Sequence, residues 1–155
     1  SDTGSDQDIL FCRSTDVGQT WSSPEPVNTN ARFDTGADMT PQISVMSLGD
    51  VGELSLVGTA VVVWSSTDSL GDMIGTDSDV LVSRTLDDGM TWSFPRPVNR
   101  YAMIDAGIDD LQPHVFCISQ EACMVGWNTA HSFGGALGSA TTSSMNLVVS
   151  FSTNA

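Results

Sequence analysis

The chain has no lysine. Its five basic residues are all arginine, set against 16 aspartates and three glutamates, for a formal net charge of −14. That balance lacks the basic footprint nucleic acid requires and is repelled by an anionic membrane surface, so neither is expected as a partner. Long apolar runs are also missing. The longest, around Val57 to Trp64, is too short to cross a bilayer, so no membrane insertion is expected. No stretch keeps a helical hydrophobic period. No nucleophile elbow, phosphate loop or zinc-ligand spacing occurs. There are three cysteines and one tyrosine. The sequence opens without methionine or a signal peptide, and a processed or cut N-terminus is the expectation.

What is present is aspartate, glycine and repetition. An aspartate excess suits a turn-rich β protein; Ca²⁺ binding and a salt-adapted source are further readings of it. At 155 residues and 40% hydrophobic content the chain can bury the core of one ordinary domain. The stretch Ser14-Thr15-Asp16-Val17-Gly18-Gln19-Thr20-Trp21 returns 71 positions later as Thr85-Leu86-Asp87-Asp88-Gly89-Met90-Thr91-Trp92. The flanks repeat too. Asp8-Ile9-Leu10 answers Asp79-Val80-Leu81, and Pro24, Pro26, Val27 and Asn28 answer Pro95, Pro97, Val98 and Asn99. A third copy begins at Asn146, with Ser152 in the register of Ser14 and Thr85, and stops before its glycine. A fixed period of this size marks a repeat architecture.

The octet reads as a hairpin turn. Gly18 and Gly89 can take positive φ without Cβ strain. Asp16 and Asp87 can accept hydrogen bonds from backbone N–H groups inside the turn, and Ser14 and Thr85 can tie its near side. Trp21 and Trp92 are expected to bury a large ring against the neighbouring sheet. On this reading the aspartates are turn staples, not catalysts.

The pattern resembles the Asp-box, or BNR repeat, of sialidases and related β-propellers, over two full octets with flanks and one truncated octet. The resemblance implies an all-β fold: a segment of a β-propeller built from four-stranded antiparallel blades with Asp-box hairpins. It is specific for that architecture and uninformative about activity, since lectins, glycosidases and receptors carry it.

Strands are expected at 8–14, 20–27, 41–47, 57–65, 79–85, 91–98, 113–119, 123–130 and 145–152. Leu48 to Gly52 is expected as a hairpin loop, and 66–78 and 131–143 as longer loops. This divides the chain into the C-terminal half of a blade (1–28), a complete blade (29–99) and an incomplete blade (100–155). A closed propeller typically needs about four to eight blades. The expected partners are therefore the remaining blades of the same chain, or identical subunits that complete a ring.

Cys117 and Cys123 face each other across a short hairpin link, within reach of a disulfide. A bridge would place the protein in an oxidising compartment, extracellular or at the cell surface; two reduced buried thiols are the alternative. Cys12 shares the register of Ser83 and Ser150 and is expected to be an unpaired, buried small residue.

A second repeat lies in the connections. Asp34-Thr35-Gly36-Ala37-Asp38, before Pro41, recurs as Asp105-Ala106-Gly107-Ile108-Asp109-Asp110, before Pro113. Asp68, Asp72 and Asp77 join them, with Asp6 in the register of Asp77. Asp34, Asp38, Asp105, Asp109 and Asp110 are candidate ligands for Ca²⁺, a hard cation that takes clustered oxygens. Solvated turn aspartates, or a raised-pKa acid of a glycosidase pair, are the other readings. His114 and His131 lack metal-ligand spacing. Trp64 and Trp127 match in register and are expected in the core, with stacking on a sugar the alternative.

In the sialidase family, an arginine triad grips the substrate carboxylate beside a Tyr–Glu nucleophilic pair and an Asp acid/base. Here Arg13 and Arg84 repeat beside the octets and look structural. Phe94-Pro95-Arg96-Pro97 departs from the family's arginine-isoleucine-proline motif, and Tyr101, the one tyrosine, has no glutamate placed beside it. No catalytic residue is carried over. The expected role is an extracytoplasmic scaffold or glycan-recognition module. The alternatives are part of an exo-acting, sialidase-type glycoside hydrolase and a structural subunit of a surface assembly.

Overall fold

A computed structural model of the chain describes residues 3–47, 58–105, 107–119, 122–131 and 146–152. The expected loop at Leu48 to Gly52, residues 132–143 of the Gly/Ser-rich loop and the third octet beyond Ser152 lie outside the described residues, as does Ala106.

Nine strands form three antiparallel sheets among these residues. β1 (Leu10–Phe11) pairs with β2 (Glu25–Pro26). β3 (Asp38–Ser47), β4 (Gly58–Ser66), β5 (Asp79–Thr85) and β6 (Arg96–Pro97) form a four-stranded sheet in chain order. β7 (Asp110–Ser119), β8 (Ala122–Thr129) and β9 (Asn146–Ser152) form a three-stranded sheet, also in chain order. Helix is confined to one 3₁₀ turn, Tyr101–Met103, and none of the described helix is long and apolar enough to cross a membrane.

β4 explains how the sheets stack. Its run Ala60-Val61-Val62-Val63-Trp64 is apolar throughout because both faces are covered. Successive side chains point to opposite faces. Val62 and Trp64 join Ile9, Val27, Leu70, Ile74, Leu81 and Ala102 in one core cluster, with Phe11 and Trp92 against it. Val61 and Val63 join Met46, Val80, Cys117, Cys123, Val125 and Trp127 in the other. The middle sheet is thus sandwiched between its two neighbours. Trp64 and Trp127, both expected in the core, are 0% and 2% exposed.

β3 and β7 begin three residues before their prolines, earlier than expected. The cause is a repeated bulge. Thr40 and Gln112, just ahead of Pro41 and Pro113, take φ values of 53° and 54°. The pairing register shifts between Met39 and Gln42 and again between Leu111 and His114. Proline lacks the N–H a ladder needs, and the bulge absorbs that loss while letting Asp38 and Asp110 pair beyond it.

Two expectations are corrected. Trp21 does not bury its ring; it is 64% exposed. Trp92 is covered because Phe11, from the preceding sheet, meets it edge-on with ring centroids 5.3 Å apart, and no described residue covers Trp21 in the same way. Cys12 is free as expected but only half-buried, since short β1 does not bury it as β5 buries Ser83.

Candidate functional site

β5 carries a different structure at each end. The octet follows Thr85, and an acidic cluster gathers around Asp79. Seven residues separate them by about 20 Å of extended chain.

The octets are closed turns. Asp16 Oδ1 accepts from Thr20 N (2.8 Å) and from Ser14 Oγ (2.7 Å), while Oδ2 accepts from Thr20 Oγ1 (2.6 Å). Asp87 repeats the set with Thr91 N (2.8 Å), Thr85 Oγ1 (2.7 Å) and Thr91 Oγ1 (2.6 Å). Gly18 N donates to Ser14 Oγ (2.8 Å) and Gly89 N to Thr85 Oγ1 (2.9 Å), each glycine at positive φ. These hydrogen bonds, chiefly those from Thr20 and Thr91, hold both carboxyls down at about 2. Such carboxylates stay ionised and occupied, so neither serves as a proton donor at neutral pH. Arg13 Nη1 donates to Asp88 O (3.3 Å), linking one octet to the next.

At the other end of the strands, Asp77, Asp79 and Asp105 each bring a carboxylate oxygen within 4.8 Å of the others. Asp6, Asp8 and Asp34 do the same one repeat earlier. Asp77 Oδ2 accepts from Ile108 N (3.0 Å). Asp79 is fully buried, and neither of its oxygens has a hydrogen-bond donor; Asp105 is 6% exposed with Oδ1 unsatisfied. Burial pushes the Asp79 carboxyl up to about 8, with repulsion from Asp77, Asp105, Asp110 and Asp109 adding to it. Asp105 is raised by burial as well, and His131, stacked on Tyr101 at 5.0 Å, opposes that rise. In the first cluster, burial and then Asp68, Asp6 and Asp8 raise Asp34 to about 6. Asn28 Nδ2 donates to Asp8 (2.8 Å) and to Asp34 (3.4 Å).

The expected aspartate set is therefore divided. Asp34 and Asp105 sit in separate clusters, one repeat apart. Asp38 and Asp110 open β3 and β7, opposite Ser66 and Thr129. Burial raises them to about 7 and about 6, against the favourable Ser66 and Thr129 hydroxyls and the nearby Trp64 and Trp127 indoles. Those indole Nε1 atoms reach no acceptor at hydrogen-bonding geometry. Asn99 Nδ2 donates to Asp110 (2.5 Å), and Asn99 Oδ1 caps the 3₁₀ turn through Tyr101 N and Ala102 N. Asp109 is exposed and accepts from Ser78 N (2.9 Å). Asp68 is buried, bonded to Asn30 (2.5 Å) and Leu70 N (3.0 Å), while Asp72 is exposed. His114 is exposed. Asp8 and Asp79 were not among the candidate ligands. Their signal was the doublet Asp6-x-Asp8, repeated as Asp77-x-Asp79 at the 71-residue period.

Cys117 and Cys123 form a disulfide between paired positions of β7 and β8. A shallow groove beside the second octet is lined by Phe11, Arg13, Glu25, Gly89, Met90 and Trp92.

No family model and no curated protein matches this sequence. Among solved structures, the fold is similar to the GH93 α-L-arabinofuranosidase of Fusarium graminearum, a β-propeller, solved in complex with arabinobiose. The TM-score is 0.52 at 16% identity, covering 99% of this chain and 39% of that one. The chain thus spans about two-fifths of the length of the structure it matches.

Proposed function

We propose that the chain is part of an extracytoplasmic β-propeller of the Asp-box kind that acts as a scaffold or glycan-recognition module. The observation that carries this reading is the repeated sheet, closed at one end by the hydrogen-bonded octet and stacked on its neighbours through both faces of β4. The likeness to an arabinofuranosidase supports the architecture and gives glycans as the ligand class to try first. The Cys117–Cys123 disulfide fits an oxidising compartment.

A hydrolase of the exo-acting type is the second reading, favoured by the raised carboxyls. A general acid near neutral pKa is what glycoside cleavage uses. Such an acid must touch its substrate, however, and Asp38, Asp79 and Asp110 are 5%, 0% and 2% exposed, while half-buried Asp34 is already held by Asn28 and Asn30. Burial of these groups favours a non-catalytic role for this part of the molecule.

The test is a glycan array on the intact protein, followed by calorimetry and turnover assays with arabino-oligosaccharides and sialosides. Saturable binding without turnover is the expected result. Turnover of either substrate class by the intact protein would establish the hydrolase reading. Absence of binding to any glycan at millimolar concentration would leave only the scaffold.

A further inference from the structure

The buried acids at the start of β5 pose a problem of charge. Three carboxylates converge at Asp77, Asp79 and Asp105. Asp79 is fully enclosed, and neither of its oxygens meets a donor. The nearby charges that raise Asp79 are those of Asp77, Asp105, Asp110 and Asp109, all negative, while His131 acts on Asp105. A buried acid with no partner for either oxygen is costly whether charged or neutral, and where such groups are charged they are found paired or coordinating metal. Its two bare oxygens, beside two more carboxylates, are therefore an observation in their own right that something of positive charge fits there.

The arrangement is also duplicated. Asp6, Asp8 and Asp34 occupy the same register and also lie within 4.8 Å of one another, though all three are half-buried, with both oxygens of Asp6, Oδ2 of Asp8 and Oδ1 of Asp34 unsatisfied. Each cluster draws two aspartates from the segment leading into a strand, Asp6 and Asp8 ahead of β1, Asp77 and Asp79 at β5. The third comes from the connection that enters the following sheet.

We propose that Asp77, Asp79 and Asp105 bind a divalent hard cation, Ca²⁺, and that Asp6, Asp8 and Asp34 form a second site of the same kind, each ion joining one sheet to the connection that leads into the next. The donors are all oxygen and mostly charged. That set selects Ca²⁺ or Mg²⁺ over softer metals. Ca²⁺ tolerates irregular oxygen cages, completed by backbone carbonyls and water, whereas Mg²⁺ demands a near-ideal octahedron and gives up water reluctantly. Asp38 and Asp110 are not ligands in this scheme; they brace the strand starts against Ser66 and Thr129. The proposal is independent of glycan recognition.

The test is calorimetric titration of Ca²⁺ into the intact, EDTA-stripped protein, with thermal unfolding in EDTA and in Ca²⁺. Binding of two ions is expected. At a hundredfold excess over Kd, Ca²⁺ should raise Tm by roughly 5–10 °C per site. Asp79→Asn should bind one ion fewer and lose the matching part of the Tm rise. Asp8→Asn should do the same at the other site, and exposed Asp109→Asn should behave as wild type. Should Asp79→Asn fail to fold, half-buried Asp77→Asn gives the same reading. No heat of binding and an unchanged Tm in the wild type would overturn the proposal, as would full stoichiometry in Asp79→Asn or Asp77→Asn.

Discussion

Asp87 shows how much one side chain does here. It takes hydrogen bonds from Thr85 and Thr91 that replace ladder bonds the chain gives up on reversing. Those bonds depress its carboxyl from 3.8 to about 2, as the bonds from Thr20 and Ser14 depress that of Asp16. A depressed folded-state pKa contributes stability that is fully present above the unfolded value and lost as pH falls through the folded one. Melting temperature should therefore drop between about pH 4 and pH 2, and Asp87→Asn should flatten that part of the profile while lowering Tm at pH 7. A parallel profile in the variant would show that other groups carry the acid sensitivity. Glycines test packing at the same scale. A Cβ on Gly36 would overlap the Asp68 backbone, whereas at Gly71 it meets nothing and only the φ of +72° resists it. Gly36→Ala should cost about 3 kcal/mol and Gly71→Ala about 1–2 kcal/mol, read from denaturant unfolding; equal costs would contradict the close approach of the first connection to loop 66–78.

The long strands were legible in the sequence, because alternation and β-branched runs state them directly. The strand expected at 79–85 is Asp79–Thr85, and those at 57–65 and 145–152 are displaced by no more than one residue at either end. The outer strands were not. Expected at 8–14, 20–27 and 91–98, they shrink to pairs of residues, Leu10–Phe11, Glu25–Pro26 and Arg96–Pro97. The octet satisfies much of its backbone internally, and the prolines withdraw ladder donors. The turn at Tyr101–Met103 is too short to leave a period. In the candidate site, the repeat of Asp34 and Asp105 was visible, but which carboxylates converge depends on the crossing from one sheet to the next, and no local pattern carries that. Asp79 read only as the start of a strand. The Cys117–Cys123 bridge closes a short loop, with a sequence separation of 6. Replacing both cysteines with serine should cost about 2 kcal/mol by the chain-entropy estimate. A cost near zero would mean that β7 and β8 hold their register unaided.

At the scale of the whole molecule, apolar side chains remain on open surfaces of the long strands. Ile43 and Val45 on β3 are 48% and 64% exposed; Phe116 and Ile118 on β7 are 62% and 63% exposed. Phe33, in the first connection, is 86% exposed. Monomeric proteins rarely leave such surface bare, and a stack of repeats stays soluble only when its outer faces are covered. β4 shows what covering looks like, with apolar residues sealed on both sides by the adjoining sheets. We propose that further sheets of the same kind, in cis or from identical subunits, complete the molecule. The most direct measurement is the native mass of the protein as isolated, by light scattering or native mass spectrometry. A mass several times the 16.4 kDa of this chain is predicted. A monodisperse 16.4 kDa species that unfolds cooperatively would contradict it.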